Sequence, residues 1–133
     1  MPASQPSASD RLTSRVATVP RRWHVYVVDL EPRVRSKPGK RRPCVAIQPT
    51  IFAEAGLPSS VILPLTTKIA SVDAFPLRVR IPAGTCRLSR DSDVLVDQIL
   101  AWDNDLFRED LGVLPDALQE DLKRALLEFL DLE

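Results

Sequence analysis

A run of basic residues between positions 33 and 42 is the part of this sequence with the clearest chemical potential. Five of its cations lie close together: Arg35, Lys37, Lys40, Arg41 and Arg42. Ser36, Pro38 and Gly39 interrupt them without an apolar period, which predicts a loop. Clustered cations on a loop suit the binding of backbone phosphates. A solvated loop without a ligand explains the same residues, so the pattern alone leaves both readings open.

The charges of the chain are unevenly distributed, although the formal net charge of its 133 residues is zero. Residues 11–42 hold ten Arg or Lys against two acids, whereas residues 91–133 hold thirteen acids against three bases. A basic half and an acidic half favour an anionic partner at one end of the molecule. Two solvated faces that partly neutralise each other are the alternative, so charge alone does not establish nucleic-acid binding.

Few other side chains offer acid–base or metal chemistry. Histidine changes its charge near neutral pH, so the single histidine, His24, is a candidate general base, with a structural histidine as the alternative. Cys44 and Cys86 do not form a Cys-x-x-Cys pair, and Cys44 lies in an apolar run typical of a buried small hydrophobe. One histidine and two separated cysteines disfavour a metal site, and we expect neither metal nor cofactor.

Short strands are the main elements that must position these residues. Five segments with β-branched or alternating apolar residues predict strands: Val25–Val28, Cys44–Ile47, Val61–Leu65, Leu77–Ile81 and Asp93–Gln98. Pro64 predicts that the third lies at a sheet edge or strand end. The strict alternation of the fourth predicts a half-buried strand with a basic outer face.

The apolar period becomes helical near the C-terminus. Its stripe consists of Leu118, Leu122, Ala125, Leu126, Phe129 and Leu130. Pro115 suits the first turn, and Asp103 is a candidate N-cap of a shorter turn. Short strands and one closing helix predict a mainly β fold, a strongly curved sheet or small barrel with a C-terminal α-helix.

The chain length fits a single domain. Residues 1–19 are rich in Ser, Ala, Thr and Pro and predict a disordered tail, which leaves 20–133 as the domain. No segment approaches the roughly 20 apolar residues that span a bilayer, and no apolar run of signal-peptide length opens the sequence. We therefore expect a cytoplasmic protein without membrane contact.

Six short motifs follow one another in an order that is more specific than any one of them. They are Arg21–Pro32, Arg41–Gln48, Pro64–Thr67, Ile81–Gly84, Leu88–Ser92 and Val96–Ile99. Together they resemble the MazF/PemK toxins of toxin–antitoxin systems over roughly residues 21–130. The resemblance implies an SH3-like, MazF/CcdB-like barrel with a C-terminal helix, and a two-fold homodimer with an RNA groove across its interface. It also implies sequence-specific cutting of single-stranded RNA, and a cognate antitoxin whose disordered acidic segment blocks the groove.

The same resemblance assigns Arg42 as the catalytic arginine and Thr66 as the active-site threonine. A guanidinium presents a fixed fork of donors to charged oxygens, so Arg42 would bind the scissile phosphate. The Thr66 hydroxyl would donate to a non-bridging oxygen. Metal-free cutting of this kind leaves 2′,3′-cyclic phosphate and 5′-hydroxyl ends. A loop-end arginine and a threonine that satisfies the local backbone are the alternatives.

Further residues are expected at the RNA. Ser36 and Gln98 match family positions, and Arg35, Lys37, Lys40 and Arg41 extend the basic loop beside Arg42. The family usually has glycine and then an acid where this chain has Trp23 and His24. Trp23 is expected either to stack on an unpaired base or to cover the barrel end or dimer seam. His24 is expected to compensate as a base for the lost carboxylate.

Two other functions remain open on the same fold. One is a CcdB-like poison of DNA gyrase, which relies on a C-terminal tryptophan; this chain ends Leu130–Glu133 without one. The other is an RNA-binding module with weakened catalysis, which the departures at Trp23, His24 and Lys37 would support.

Overall fold

The computed structural model describes residues 19–30 and 41–132, and within these ranges the chain forms seven strands and two α-helices. The strands are β1 (His24–Asp29), β2 (Arg41–Ala46), β3 (Ser59–Thr66), β4 (Arg78–Ile81), β5 (Ser92–Leu95), β6 (Leu100–Asp103) and β7 (Phe107–Val113). The helices are α1 (Thr50–Glu54) and α2 (Asp116–Leu130), with 3-10 turns at Thr85–Arg87 and Asn104–Leu106.

All strand pairs are antiparallel, in the order β4-β5-β3-β2-β1-β7, and β6 pairs with β3 off this path. The described strands therefore form a curved sheet that is not closed. This confirms the predicted mainly β fold with a C-terminal helix, in its curved-sheet form.

The sheet buries apolar side chains on both faces, because successive residues of a strand point to opposite sides. On one face Val25, Val45 and Leu63 lie in register and pack in a core that includes Leu122 and Ala125 of α2. The opposite face holds a second core built from Tyr26, Val28, Cys44, Ala46, Ile62 and Phe107. These two cores fix β1, β2 and β3 relative to one another.

The sequence predicted Pro64 at a sheet edge or a strand end. The structure excludes the edge, because β3 pairs with β2, β5 and β6, and Pro64 is the sixth of the eight residues of β3. One side of β3 pairs with β6 through Ser59–Ile62 and with β5 through Leu65–Thr66. Pro64 falls between these two ladders, while its other side faces Cys44 of β2. The missing N–H of proline is tolerated at this change of partner.

Several local predictions are confirmed. The C-terminal helix begins directly after Pro115, and the Asp103 side chain accepts a hydrogen bond from the Asp105 N–H at the start of a 3-10 turn.

Arg42, predicted at the end of a loop, instead lies inside β2. The predicted tail, residues 1–19, lies outside the described residues except for Val19. Within the described part of the chain, no helix is long and apolar enough to cross a membrane.

Candidate active site

Arg42 and Thr66 lie near the same end of the β2–β3 ladder. The last pair of this ladder is Cys44 with Pro64, and Arg42 and Thr66 each stand two residues beyond it on their own strand. Beyond that pair, Thr66 pairs with Asp93 of β5 and Arg42 pairs with Val28 of β1. Both residues are half-buried.

The charge of Arg42 is available for an anion, as far as the described residues show. No carboxylate of residues 19–30 and 41–132 forms an ion pair with its guanidinium. Burial raises the pKa of the Cys44 thiol to about 12, and the nearby charge of Arg42 only partly counteracts this. Cys44 therefore stays protonated, as predicted for a buried small hydrophobe.

The Thr66 hydroxyl is already engaged in one direction. Its oxygen accepts a hydrogen bond from the Lys68 N–H at 3.1 Å, which is the local backbone contact considered as an alternative to a catalytic role. A hydroxyl that accepts one bond still has its own hydrogen to donate. The turn therefore fixes Thr66 without removing its capacity to bind a phosphate oxygen.

Asp93 of β5 lies directly opposite Thr66 of β3. The sequence did not single out this residue. Its side chain is 1% exposed and accepts hydrogen bonds from Arg78 Nη1 at 3.1 Å, Arg80 Nε at 2.5 Å and the Ala70 N–H at 2.8 Å. Burial alone would raise the pKa of Asp93, but these hydrogen bonds outweigh it and hold the pKa below its ordinary value. Asp93 is therefore an anion in the folded protein near neutral pH.

Arg78 and Arg80 form the basic outer face that the alternation of β4 predicted, since Arg80 is exposed and Arg78 is partly exposed. Both guanidinium groups turn onto Asp93, and each also donates to a backbone carbonyl of the loop after Thr66. The alternation of β4 itself is confirmed, since Val79 and Ile81 are buried on the opposite side.

The comparisons with known proteins agree with this architecture. The family model of the PemK-like, MazF-like toxins of type II toxin–antitoxin systems matches residues 21–130. "Endoribonuclease MazF2" of Mycobacterium bovis is 35% identical over 111 residues, which cover 84% of this chain and 96% of that protein. "Endoribonuclease MazF" of Staphylococcus saprophyticus is 30% identical over 106 residues, or 80% and 87% of the two chains. The chain belongs to the PemK-like, MazF-like toxin family.

A solved structure supports the same fold. An endoribonuclease from a mycobacterial species, solved in complex with its cognate antitoxin, superposes with a TM-score of 0.67 at 21% identity. The match covers 86% of this chain and 97% of that one. The family predicted from the motif order and the fold class are both confirmed.

In this MazF-like chain, His24 is not brought together with Arg42 and Thr66. Its Nδ1 lies 3.0 Å from both carboxylate oxygens of Asp110 on β7, and its ring stacks on Tyr26. His24 stands four residues from Val28, the partner of Arg42, or roughly 13 Å along the strand. Within one subunit these contacts favour the structural alternative, and a base role stays a prediction.

Trp23 is part of the core rather than a free stacking platform. Its side chain is 7% exposed, and the Arg22 guanidinium lies 4.7 Å from the ring centroid. A buried ring leaves no face for an RNA base, which argues against the predicted stacking. The backbone φ of Trp23 is 70°, a conformation that glycine adopts at little cost. Trp23 offsets this strain by burying its ring at the start of β1.

The remaining predicted RNA contacts are distributed differently. Arg41 is exposed beside Arg42, and Gln98 is exposed in the segment between β5 and β6. Arg35, Ser36, Lys37 and Lys40 lie outside the described residues. Their expected contacts with RNA stay predictions.

Proposed function

We propose that this MazF-like toxin is an endoribonuclease that cuts single-stranded RNA by metal-independent transesterification. The enzyme class is supported by the curated relatives, which are named endoribonucleases. The observation that carries the chemistry is that Arg42 and Thr66 each stand two residues beyond the last pair of the β2–β3 ladder, and that no carboxylate of the described residues pairs with the arginine.

In this reaction the ribose 2′-hydroxyl attacks the adjacent phosphorus, and the bond from phosphorus to the 5′-oxygen of the next nucleotide breaks. The products are a 2′,3′-cyclic phosphate and a 5′-hydroxyl end. A guanidinium stays charged at neutral pH, so Arg42 stabilises the negative oxygens of the pentavalent transition state. The Thr66 hydroxyl donates to a second non-bridging oxygen and orients the phosphate for in-line attack.

A cationic side chain at this position supplies the charge that a metal ion supplies in other nucleases. Within residues 19–30 and 41–132, no three His, Cys, Asp or Glu side chains come close enough together to bind a metal ion.

The partners follow from the same assignment. The relative from a mycobacterial species was solved with its cognate antitoxin, which supports an antitoxin as the inhibitor of this chain. We propose that the functional unit is a homodimer, that an acidic antitoxin segment competes with RNA for the site, and that the toxin acts in the cytoplasm.

The decisive experiment incubates the purified protein with a long RNA of mixed sequence in EDTA and maps the ends of the products. We expect discrete cuts that carry 5′-hydroxyl ends. Binding without cutting would instead indicate an RNA-binding module with weakened catalysis. Inhibition of DNA gyrase without RNA cutting would indicate a CcdB-like toxin.

A further inference from the structure

Asp93 and its two arginines hold backbone groups of the segment that follows β3. Arg78 Nη1, which donates to the carboxylate, also donates to the Lys68 carbonyl at 2.8 Å. Arg80 donates to the carboxylate through Nε and to the Ala70 carbonyl through Nη2 at 2.8 Å. The Ala70 N–H is held directly by Asp93. One buried anion thus fixes the backbone at two positions of the segment that follows Thr66.

This anchored segment begins at the active site. Thr66 pairs with Asp93 across the sheet, and its hydroxyl accepts the Lys68 N–H. Lys68 itself is exposed two residues beyond Thr66. Any displacement of Lys68 and Ala70 would therefore change the turn that orients the Thr66 hydroxyl.

We propose that Asp93 is a positioning residue for RNA cleavage. Through Arg78 and Arg80 it holds residues 66–70 in place, so that the Thr66 hydroxyl meets the scissile phosphate. This inference rests on the proposed function, because it assigns Asp93 to the reaction of that same site.

Stability alone does not account for a buried ion network at this position. Desolvation of charges is costly, and apolar side chains often replace buried ion pairs without loss of stability. Asp93 stands next to Val94, which is buried in the core. What the network adds is a fixed geometry for a loop, and misplacement of a reacting group by about 1 Å can reduce a rate by about 100-fold.

The test compares Asp93→Asn, Thr66→Ala and the double variant in single-stranded RNA cleavage, with kcat and KM measured separately. Asparagine no longer pairs with the arginines, and its neutral oxygen is a weaker acceptor for the Ala70 N–H than a carboxylate. We expect kcat to fall about 10- to 100-fold with KM changed less than about 3-fold. We also expect the double variant to be no slower than Thr66→Ala by more than about 2-fold, because Asp93 acts through Thr66.

Ser60→Ala is the matched control for loss of a buried polar contact. Ser60 lies on β3, at the opposite end of the strand from Thr66, and is 2% exposed. Its hydroxyl donates to Asn104 Oδ1 at 2.7 Å. This variant should lose stability but keep the wild-type kcat. If Asp93→Asn does not fold, Arg80→Ala is tested instead, with the same expected changes in kcat and KM. The Arg80 side chain is partly exposed, so its loss should disturb folding less.

An unchanged kcat in a folded Asp93 or Arg80 variant, or fully additive effects with Thr66→Ala, would overturn the inference. Cutting by the wild-type chain is measured first, and its absence would refute the proposed function instead. In that case hydrogen exchange of the Ala70 amide tests whether Asp93 holds residues 66–70 in place. Exchange should be faster in Asp93→Asn than in Ser60→Ala, and equal rates would exclude the anchor.

Discussion

At the scale of single residues, side chains with similar chemistry have different tasks because of their partners. Arg42 has no described carboxylate to neutralise it, whereas Arg78 and Arg80 are held by Asp93. His24 is engaged by Asp110, which also accepts the Gly112 N–H at 2.8 Å. These contacts separate a cation that is available for phosphate from residues that stabilise the fold.

The contacts of His24 lead to a prediction about its role. We expect His24→Ala to leave the shape of the pH–rate profile unchanged, because the ring is bound to Asp110 and distant from Arg42 within the subunit. The free energy of unfolding should fall by about 1 kcal/mol through loss of the hydrogen bond between β1 and β7. Loss of one limb of the profile would instead show that His24 is the general base.

At the scale of elements, the network around Asp93 determines how stability responds to acid. Its folded-state pKa lies below the ordinary value of 3.8, so the charged form stabilises the fold above about pH 4. That contribution is lost as the pH falls through the folded-state pKa.

We therefore expect Asp93→Asn to cost on the order of 2 kcal/mol at pH 7, and the difference from wild type to shrink below about pH 4. Urea unfolding at a series of pH values measures this difference. Ser60→Ala is the control, because a hydroxyl does not titrate and its cost should be independent of pH. A difference for Asp93→Asn that persists at acid pH would contradict the assignment.

The end of α2 contains a residue in an unfavourable conformation. Asp131 has a φ of 56° and a ψ of 47°, the left-handed region, and it places a negative charge at the negative end of the helix dipole. We expect Asp131→Gly to stabilise the protein by about 1 kcal/mol in urea unfolding. Asp121→Gly, the same change inside α2, should destabilise it. Equal effects of the two variants would show that the backbone conformation does not matter.

The sequence predicted elements with strong periodicity and missed elements without it. Strands β1 to β5 and α2 carry clear apolar patterns, and they were predicted, although β5 spans Ser92–Leu95 rather than the predicted Asp93–Gln98. Strand β7 mixes charged and apolar residues and contains register shifts against β1, so it has no regular alternation. Strand β6 has only four residues.

The candidate site was predictable to a similar degree. The resemblance pointed to Arg42 and Thr66, but their common place beyond one end of the β2–β3 ladder is a matter of strand register, which depends on tertiary pairing. Asp93 was missed because its partners stand 15 and 13 residues earlier and look like a solvated face until the strands pair. The sequence is compatible with both roles of Trp23, and only burial of the ring distinguishes them.

At the scale of the whole molecule, exposed apolar side chains at the end of α2 and at Phe75 are a candidate contact for a second copy. On α2 and just after it they are Leu127, Phe129, Leu130 and Leu132. Phe75, Leu127 and Leu132 also line a shallow groove of about 300 Å³ together with Arg124. Exposed apolar surface of this kind is typical of protein–protein contacts.

We expect Leu130→Asp to convert the proposed homodimer into monomers and to reduce RNA cutting by at least about 10-fold, because a charge in an apolar interface is costly. Sedimentation velocity measures the assembly. Leu57→Asp is the matched control, since the exposed fractions of Leu57 and Leu130 are 45% and 43% and Leu57 lies after α1. A Leu130→Asp dimer with wild-type activity would place the interface elsewhere.

Cleavage of one RNA by Arg42→Ala and Arg41→Ala in EDTA shows whether the charge of Arg42 stabilises the transition state. We predict that Arg42→Ala lowers kcat by at least about 100-fold while the protein stays folded, because a preorganised donor to the developing charge is lost. Arg41→Ala, the exposed neighbour, should change KM and leave kcat near the wild-type value. Cutting by Arg42→Ala at the wild-type rate would show that the charge of Arg42 does not stabilise the transition state.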